Sequence, residues 1–189
     1  MTGRGETEAA LRGVRGILGL DPDALDAFDG TARGLARSFR AAVLVLPLYL
    51  PVVLTDAANS GALAAPVRWT VTEAAAYVMG WVAYPLIVLH LARFLECDDN
   101  RLFRYLVPYN WFRGAVVAAY APVALLAAAG VLPAAGAAFL GLLVTAAVLM
   151  YKGWLARHGL AVPLPTAILL VAMDFLLHVL IDAVAARLA

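Results

Sequence analysis

Charged side chains are scarce in this chain and, over one long stretch, missing altogether. They make up 14% of its 189 residues against 64% hydrophobic ones, whereas charged residues are about a quarter of a soluble domain. Between Gly114 and Tyr151 there is none. As one helix that stretch would measure roughly 57 Å, nearly twice a hydrocarbon core of about 30 Å. It therefore reads as two membrane crossings, divided where Gly130-Val131-Leu132-Pro133 can end one helix and begin the next.

Other absences narrow the function. Cys97 is the lone cysteine, which rules out an intramolecular disulfide and leaves a free thiol in a loop assigned to the reducing side. The first thirty-seven residues carry many charges and no apolar core of signal-peptide type, so no cleavage is expected there. The chain has no His-Glu-x-x-His, no Gly-x-Ser-x-Gly and no phosphate-cradling glycine loop. His90 and His178 fall at unmatched depths for a haem, and Glu96-Cys97-Asp98-Asp99-Asn100 offers no metal-ligand spacing. No catalytic residue, cofactor or metal site is assigned, and nucleic acid is not expected as a partner.

What remains is apolar helix. The predicted fold is an all-α integral membrane protein, a five-transmembrane-helix bundle preceded by an amphipathic interfacial helix. Residues 1-38 form the N-terminal segment and residues 39-189 the transmembrane domain, with spans at about 39-58, 69-92, 106-129, 132-151 and 164-188. In the N-terminal segment residues 6 to 20 read as a short helix interrupted by Gly13, Gly16 and Gly19. Asp21-Pro22-Asp23 then starts another, and Leu25, Phe28, Ala32, Leu35 and Phe39 recur at helical spacing, as expected of a helix lying on the bilayer. The alternative is a soluble helix packed on the loops. Pro47 and Pro51 predict a kink or local unwinding in the first span, with a re-entrant hairpin as the runner-up.

Orientation follows from the basic residues. Six precede the first span, three lie between the second and third and two between the fourth and fifth, while Arg68 and Arg187 alone fall on the other side. Eleven against two, with Arg113 set aside as intramembrane, predicts a cytoplasmic N-terminus and an external C-terminus. Thirteen of the fourteen basic residues are arginine and alanine is abundant, a bias of GC-rich bacterial genomes, so the expected site is a bacterial inner membrane.

Ionisable residues at membrane depth are costly and mark function or buried pairing. Asp174, His178 and Asp182 recur at i, i+4, i+8 on the fifth span, within about 80° of arc and along about 12 Å of helix. Such a stripe can relay protons or hold a cation, or it can be structural. Depth matching pairs Arg113 with Asp174 and brings Glu73 toward His178 and Asp182. Tyr109, Asn110 and Trp111, at the entrance of the third span, offer a headgroup contact or a structural anchor. Ala137, Gly141 and Thr145 on the fourth span, and Ala76 with Gly80 on the second, are small-residue ridges suited to helix contacts.

Gly34-Leu35-Ala36-Arg37-Ser38-Phe39, the proline-bearing first span and Tyr109-Asn110-Trp111 together resemble the layout of uncharacterised bacterial inner-membrane proteins related in outline to the Yip1-like five-span proteins. That resemblance implies membrane organisation or partner binding rather than catalysis. The expected function is thus a structural, accessory or partner-binding component, whose partners are the lipid bilayer and other membrane subunits or a second copy. A small proton- or cation-coupled transporter is the alternative, and a lipid-acting enzyme the third reading.

Overall fold

A computed structural model describes residues 3–92, 94 and 97–189. Arg93 and Glu96, counted above among the loop charges, lie outside the described residues. The described residues contain seven α-helices, two short 3-10 turns and no strand. Five helices are long and apolar enough to cross a membrane.

Helix α1 (Gly3–Leu18) is followed by the 3-10 turn Pro22–Ala27 and by α2 (Ala32–Ser38). The Asp21 carboxylate accepts from the Asp23 amide at 3.0 Å and starts the turn, as its sequence implied. The continuous helix expected from there to Phe39 does not form. Thr31 caps α2 afresh, accepting from the Gly34 amide at 3.0 Å, while its hydroxyl donates to Asp29 at 2.7 Å. These three short elements fold back on one another through the glycines of α1. A Cβ on Gly13 would lie 2.4 Å from the Phe28 ring, and one on Gly16 would lie 2.4 Å from the Ala24 methyl. The glycines that weaken α1 as an isolated helix are its contact points.

Three of the five apolar residues expected to face lipid here face protein instead, while Phe39 is half-buried and Ala32 exposed. Leu25, Phe28 and Leu35 are buried, as are Val14 and Ile17, so the interfacial-helix reading of residues 21–39 is corrected to a cap packed on the bundle. Ion pairs fasten it: Glu6 reaches Arg37 and Arg40 at 3.6 and 3.7 Å, and Asp26 reaches Arg104 at 3.1 Å. The Tyr151 hydroxyl donates to the Leu18 carbonyl at 2.9 Å.

The long helices are α3 (Arg40–Ser60), α4 (Pro66–Leu91), α5 (Asp99–Ala128), α6 (Ala134–Gly159) and α7 (Leu164–Leu188). Helix α3 is continuous through Pro47 and Pro51, so neither the unwound span nor the re-entrant hairpin is found. Helix α5 starts at Asp99 rather than Leu106, with the Asp98 carboxylate accepting from the Arg101 amide at 2.8 Å. The turn at Gly130–Pro133 divides α5 from α6 where the sequence placed it, but α6 runs on to Gly159 and carries Lys152, Trp154 and His158 inside the helix.

Helix α5 is the hub. It packs on α3, α6 and the cap, while α4 packs mainly on α7 and α7 on α6. Its anchor is the unbroken run from Tyr105 to Phe112, every member of which is buried. A helix enclosed on all sides in this way is a core element. Large apolar side chains elsewhere, including Phe139, Leu142, Leu169 and Leu176, are exposed.

Candidate functional site

Although α3 and α4 are consecutive, each is held by a different neighbour, α3 by α5 and α4 by α7. A cleft of about 1080 Å³ lies between α3, α4 and α7, with α5 behind it. Asp56, Ser60, Arg68 and Trp69 line it at the end of the molecule where the α3–α4 turn and Ala189 lie, and Arg113, Trp81 and Gly80 line it at the other. Four of the five ionisable residues expected to form a network, Glu73, Arg113, His178 and Asp182, border this one space.

Each is positioned by its own contacts. Glu73 on α4 accepts a hydrogen bond from the Tyr49 hydroxyl of α3. Arg113 on α5 donates through Nη1 to the Gly80 carbonyl and lies over the Trp81 ring, 4.6 Å from its centroid. Position 80 must be small for this, since a Cβ there would stand 3.0 Å from Nη2 of Arg113. Ala76 and Gly80 therefore line the cleft rather than forming the helix-contact ridge expected of them. On α6 the Tyr120 hydroxyl of α5 meets Thr145, whose Oγ1 donates to the Gly141 carbonyl at 2.9 Å. A Cβ on Gly141 would meet nothing within 4 Å, however, so the close approach expected of this ridge is not made there.

Asp174, the fifth residue, lies one turn along α7 from His178 and is 1% exposed. Its partner is Lys152, whose Nζ stands 2.5 Å from Oδ2. The Tyr109 hydroxyl donates to Oδ1 at 2.6 Å. The pairing of Asp174 with Arg113 expected from depth is not formed. Ending the fourth span at its first charge placed Lys152 in a loop, whereas α6 continues past it and carries the ammonium to the carboxylate. Lysine has the long apolar stem that such a reach requires.

His178 links the two regions. Its Nδ1 lies 2.8 Å from the Asp174 carbonyl and 3.3 Å from Oδ1. A carbonyl only accepts, so Nδ1 bears the hydrogen. His178 thus borders the cleft and touches the buried pair.

The Tyr109-Asn110-Trp111 segment is buried beneath the cap and does not form the headgroup contact expected of it. Tyr109 serves Asp174. Asn110 donates through Nδ2 to Ser38 Oγ at 2.8 Å, and Ser38 in turn donates to the Leu35 carbonyl at 2.7 Å. Trp111 borders a small gap with Glu6, Ala10 and Phe28. Tyr105 is fully buried, and its hydroxyl lies 2.6 Å from that of Tyr84.

The sequence reading missed Tyr49, Tyr84 and Lys152. Tyr49 carried a signal, being one polar group within an apolar span, and so did Lys152 as the sole lysine. Tyr84 carried none. Among the described residues no group of three or more His, Cys, Asp or Glu side chains could hold a metal. In the α4–α5 loop, burial and the Asp98 carboxylate push the Cys97 thiol above its usual range. Compared with known protein families, curated proteins and solved structures, the chain has no significant match.

Proposed function

We propose that this chain is a five-span integral membrane protein of the carrier type, holding a small polar solute in the cleft between α3, α4 and α7. The observation that carries the reading is the convergence of Glu73, Arg113, His178 and Asp182 from three helices on one open space. Ionisable side chains at membrane depth face a protein interior or a wet cavity, and solute pockets collect a few placed polar groups among apolar and aromatic walls. Embedding is supported by the five long apolar helices. A cytoplasmic N-terminus in a bacterial inner membrane is supported by the basic asymmetry, which stays ten against two when Lys152 is set aside with Arg113 as buried. The cleft then opens to the external side.

The competing proposal is an accessory, partner-binding component of Yip1-like type, in which this polar network is structural and the partner sits on an outer face. Cysteine labelling separates the two. In a Cys97→Ser background, a membrane-impermeant thiol reagent applied from outside should label Ile181→Cys and Ala185→Cys, which line the cleft. It should spare Leu176→Cys and Leu180→Cys, which are exposed on other faces of α7. Failure to label the cleft positions, together with a polypeptide that co-purifies in stoichiometric amount, would favour the accessory reading.

A further inference from the structure

We propose that the cleft selects a small organic cation, with an ammonium group seated between Glu73 and Asp182 beside the Tyr49 ring. This rests on the reading of the cleft as a solute site and names the class of solute.

The charges bordering the cleft are unequally committed. Arg68 donates from Nε to the backbone oxygen of Ala189 at 2.8 Å. Arg113 is held by the Gly80 carbonyl and the Trp81 face. Glu73 receives only a neutral phenol, and among the described residues neither Glu73 nor Asp182 has an ion-pair partner. The two carboxylates come from different helices, α4 and α7, yet both border the one cleft together with Tyr49. Neither is neutralised there, and what that stretch of the cleft lacks is a cation.

The wall beside it suits a cation as well. Tyr49 packs on Tyr77 with ring centroids 4.7 Å apart, and Tyr77 lies 6.2 Å from Trp81, so three aromatic rings follow one another toward the floor of the cleft. Ring faces attract ammonium groups, more strongly where water is partly excluded. Arg113 fixes the depth. Its guanidinium sits at Gly80, about 10 Å along α4 from Glu73 at helical rise, so a cation is drawn to the carboxylates and repelled from the floor.

Size points to an organic cation rather than a bare metal ion. A metal site draws several oxygen ligands to within about 2.6 Å, and in a cleft of about 1080 Å³ the bordering carboxylates, Asp56, Glu73 and Asp182, form no metal-holding group among the described residues. An alkylammonium presents a diffuse charge and apolar surface, which matches a cleft whose lining combines carboxylates with aromatic rings.

The test uses the purified full chain in detergent, with tetraethylammonium chloride, sodium acetate and glycine as cationic, anionic and zwitterionic probes. Binding is read by calorimetry and by the fluorescence of Trp69 and Trp81, both in the cleft lining. Tetraethylammonium should bind and the other two should not. Glu73→Gln and Asp182→Asn should each weaken it by about tenfold or more, the usual effect of removing a charged partner. Glutamine keeps an acceptor for Tyr49, and an unchanged melting temperature certifies each variant as folded. Tetraethylammonium binding that ignores both substitutions overturns the proposal. Binding of acetate alone, abolished by Arg113→Gln, also overturns it while leaving the cleft a solute site. Binding of none of the three, with cleft cysteines that resist labelling, overturns both.

Discussion

The two ends of the bundle treat polar groups in opposite ways. At the capped end, where α1, α2 and the turn between them close over the first half of α5, most buried polar side chains are matched: Asp174 to Lys152, Tyr109 and His178, Asn110 Nδ2 to Ser38, Tyr84 to Tyr105. The exceptions are Asn110 Oδ1 and Arg104 Nε, which have no hydrogen-bond partner. At the cleft end Glu73 and Asp182 stand without a cation, and Arg113 rests on a carbonyl and a ring. Matched polar groups in a low-dielectric core hold one arrangement together, because removing any one strands its partner. Unmatched groups beside an open space add little to stability and remain available to a ligand. The capped end is therefore expected to govern folding and the cleft to govern binding, and the two should separate under mutation.

The strongest test of that division is the Asp174–Lys152 pair. Asp174→Leu leaves an ammonium buried without its carboxylate, and Lys152→Met does the reverse. Each should cost about 3 kcal/mol or more, while the double variant recovers a large part of the loss. Thermal or denaturant melts of the protein in detergent measure this directly. Glu73→Gln, by contrast, should shift stability by less than about 1 kcal/mol. If the cleft variant destabilises as much as the buried-pair variants, the comparison fails and the cleft is part of the core.

The cap comes next. Leu25 is 2% exposed against α1 and α5, and Leu25→Ala removes its buried methyls, which should cost about 2–4 kcal/mol. The loss should appear as easier proteolysis within residues 19–31 before any change in the long helices. Equal protease resistance would return the cap to the bilayer surface, as its apolar spacing first suggested.

That spacing shows how far the sequence could be read. An apolar stripe at helical period says that a face is buried and leaves open whether lipid or protein buries it. Leu25, Phe28 and Leu35 satisfy both descriptions, and only Gly13 and Gly16 hinted at protein, since glycines at helical spacing permit close approach. The five long helices were legible because length and apolarity alone define them. Their ends were less so, because Lys152 carries charge past the apparent boundary of α6 on an apolar stem. The grouping of Glu73, His178 and Asp182 was legible from depth along two helices. The choice between Arg113 and Lys152 as the partner of Asp174 was not, since it depends on which helix faces which, and one sequence carries no record of that.

A smaller effect is expected at Gly80. In Gly80→Ala the new methyl would stand 3.0 Å from Arg113 Nη2, the far end of a flexible side chain that can move aside at little cost. Stability should change by about 1 kcal/mol or less, with alanine's better helix propensity offsetting part of the clash. The guanidinium should nonetheless leave the Trp81 face, and Trp81 fluorescence should change. A large fall in melting temperature with unaltered fluorescence would mean that the backbone moves instead, and that Arg113 is fixed as firmly as anything at the capped end.

The least effect on the fold, and the clearest chemical readout, is expected at Cys97. Burial first, and the neighbouring Asp98 carboxylate second, raise its thiol above the ordinary value. Less of it is therefore thiolate at a given pH, and only the thiolate alkylates. In the folded protein, iodoacetamide should react more slowly at pH 8 than with a short cysteine peptide, and the rate should keep climbing at pH values where the peptide has levelled off. Asp98→Asn removes the charge yet leaves a side-chain oxygen to cap α5, where the carboxylate now accepts from the Arg101 amide at 2.8 Å. The pH–rate curve should move toward that of the peptide with little change in melting temperature. A curve that does not move would take Asp98 out of the shift and leave it to burial and Asp99, and a protein that melts much earlier would show that the cap needs the negative charge at the start of the helix.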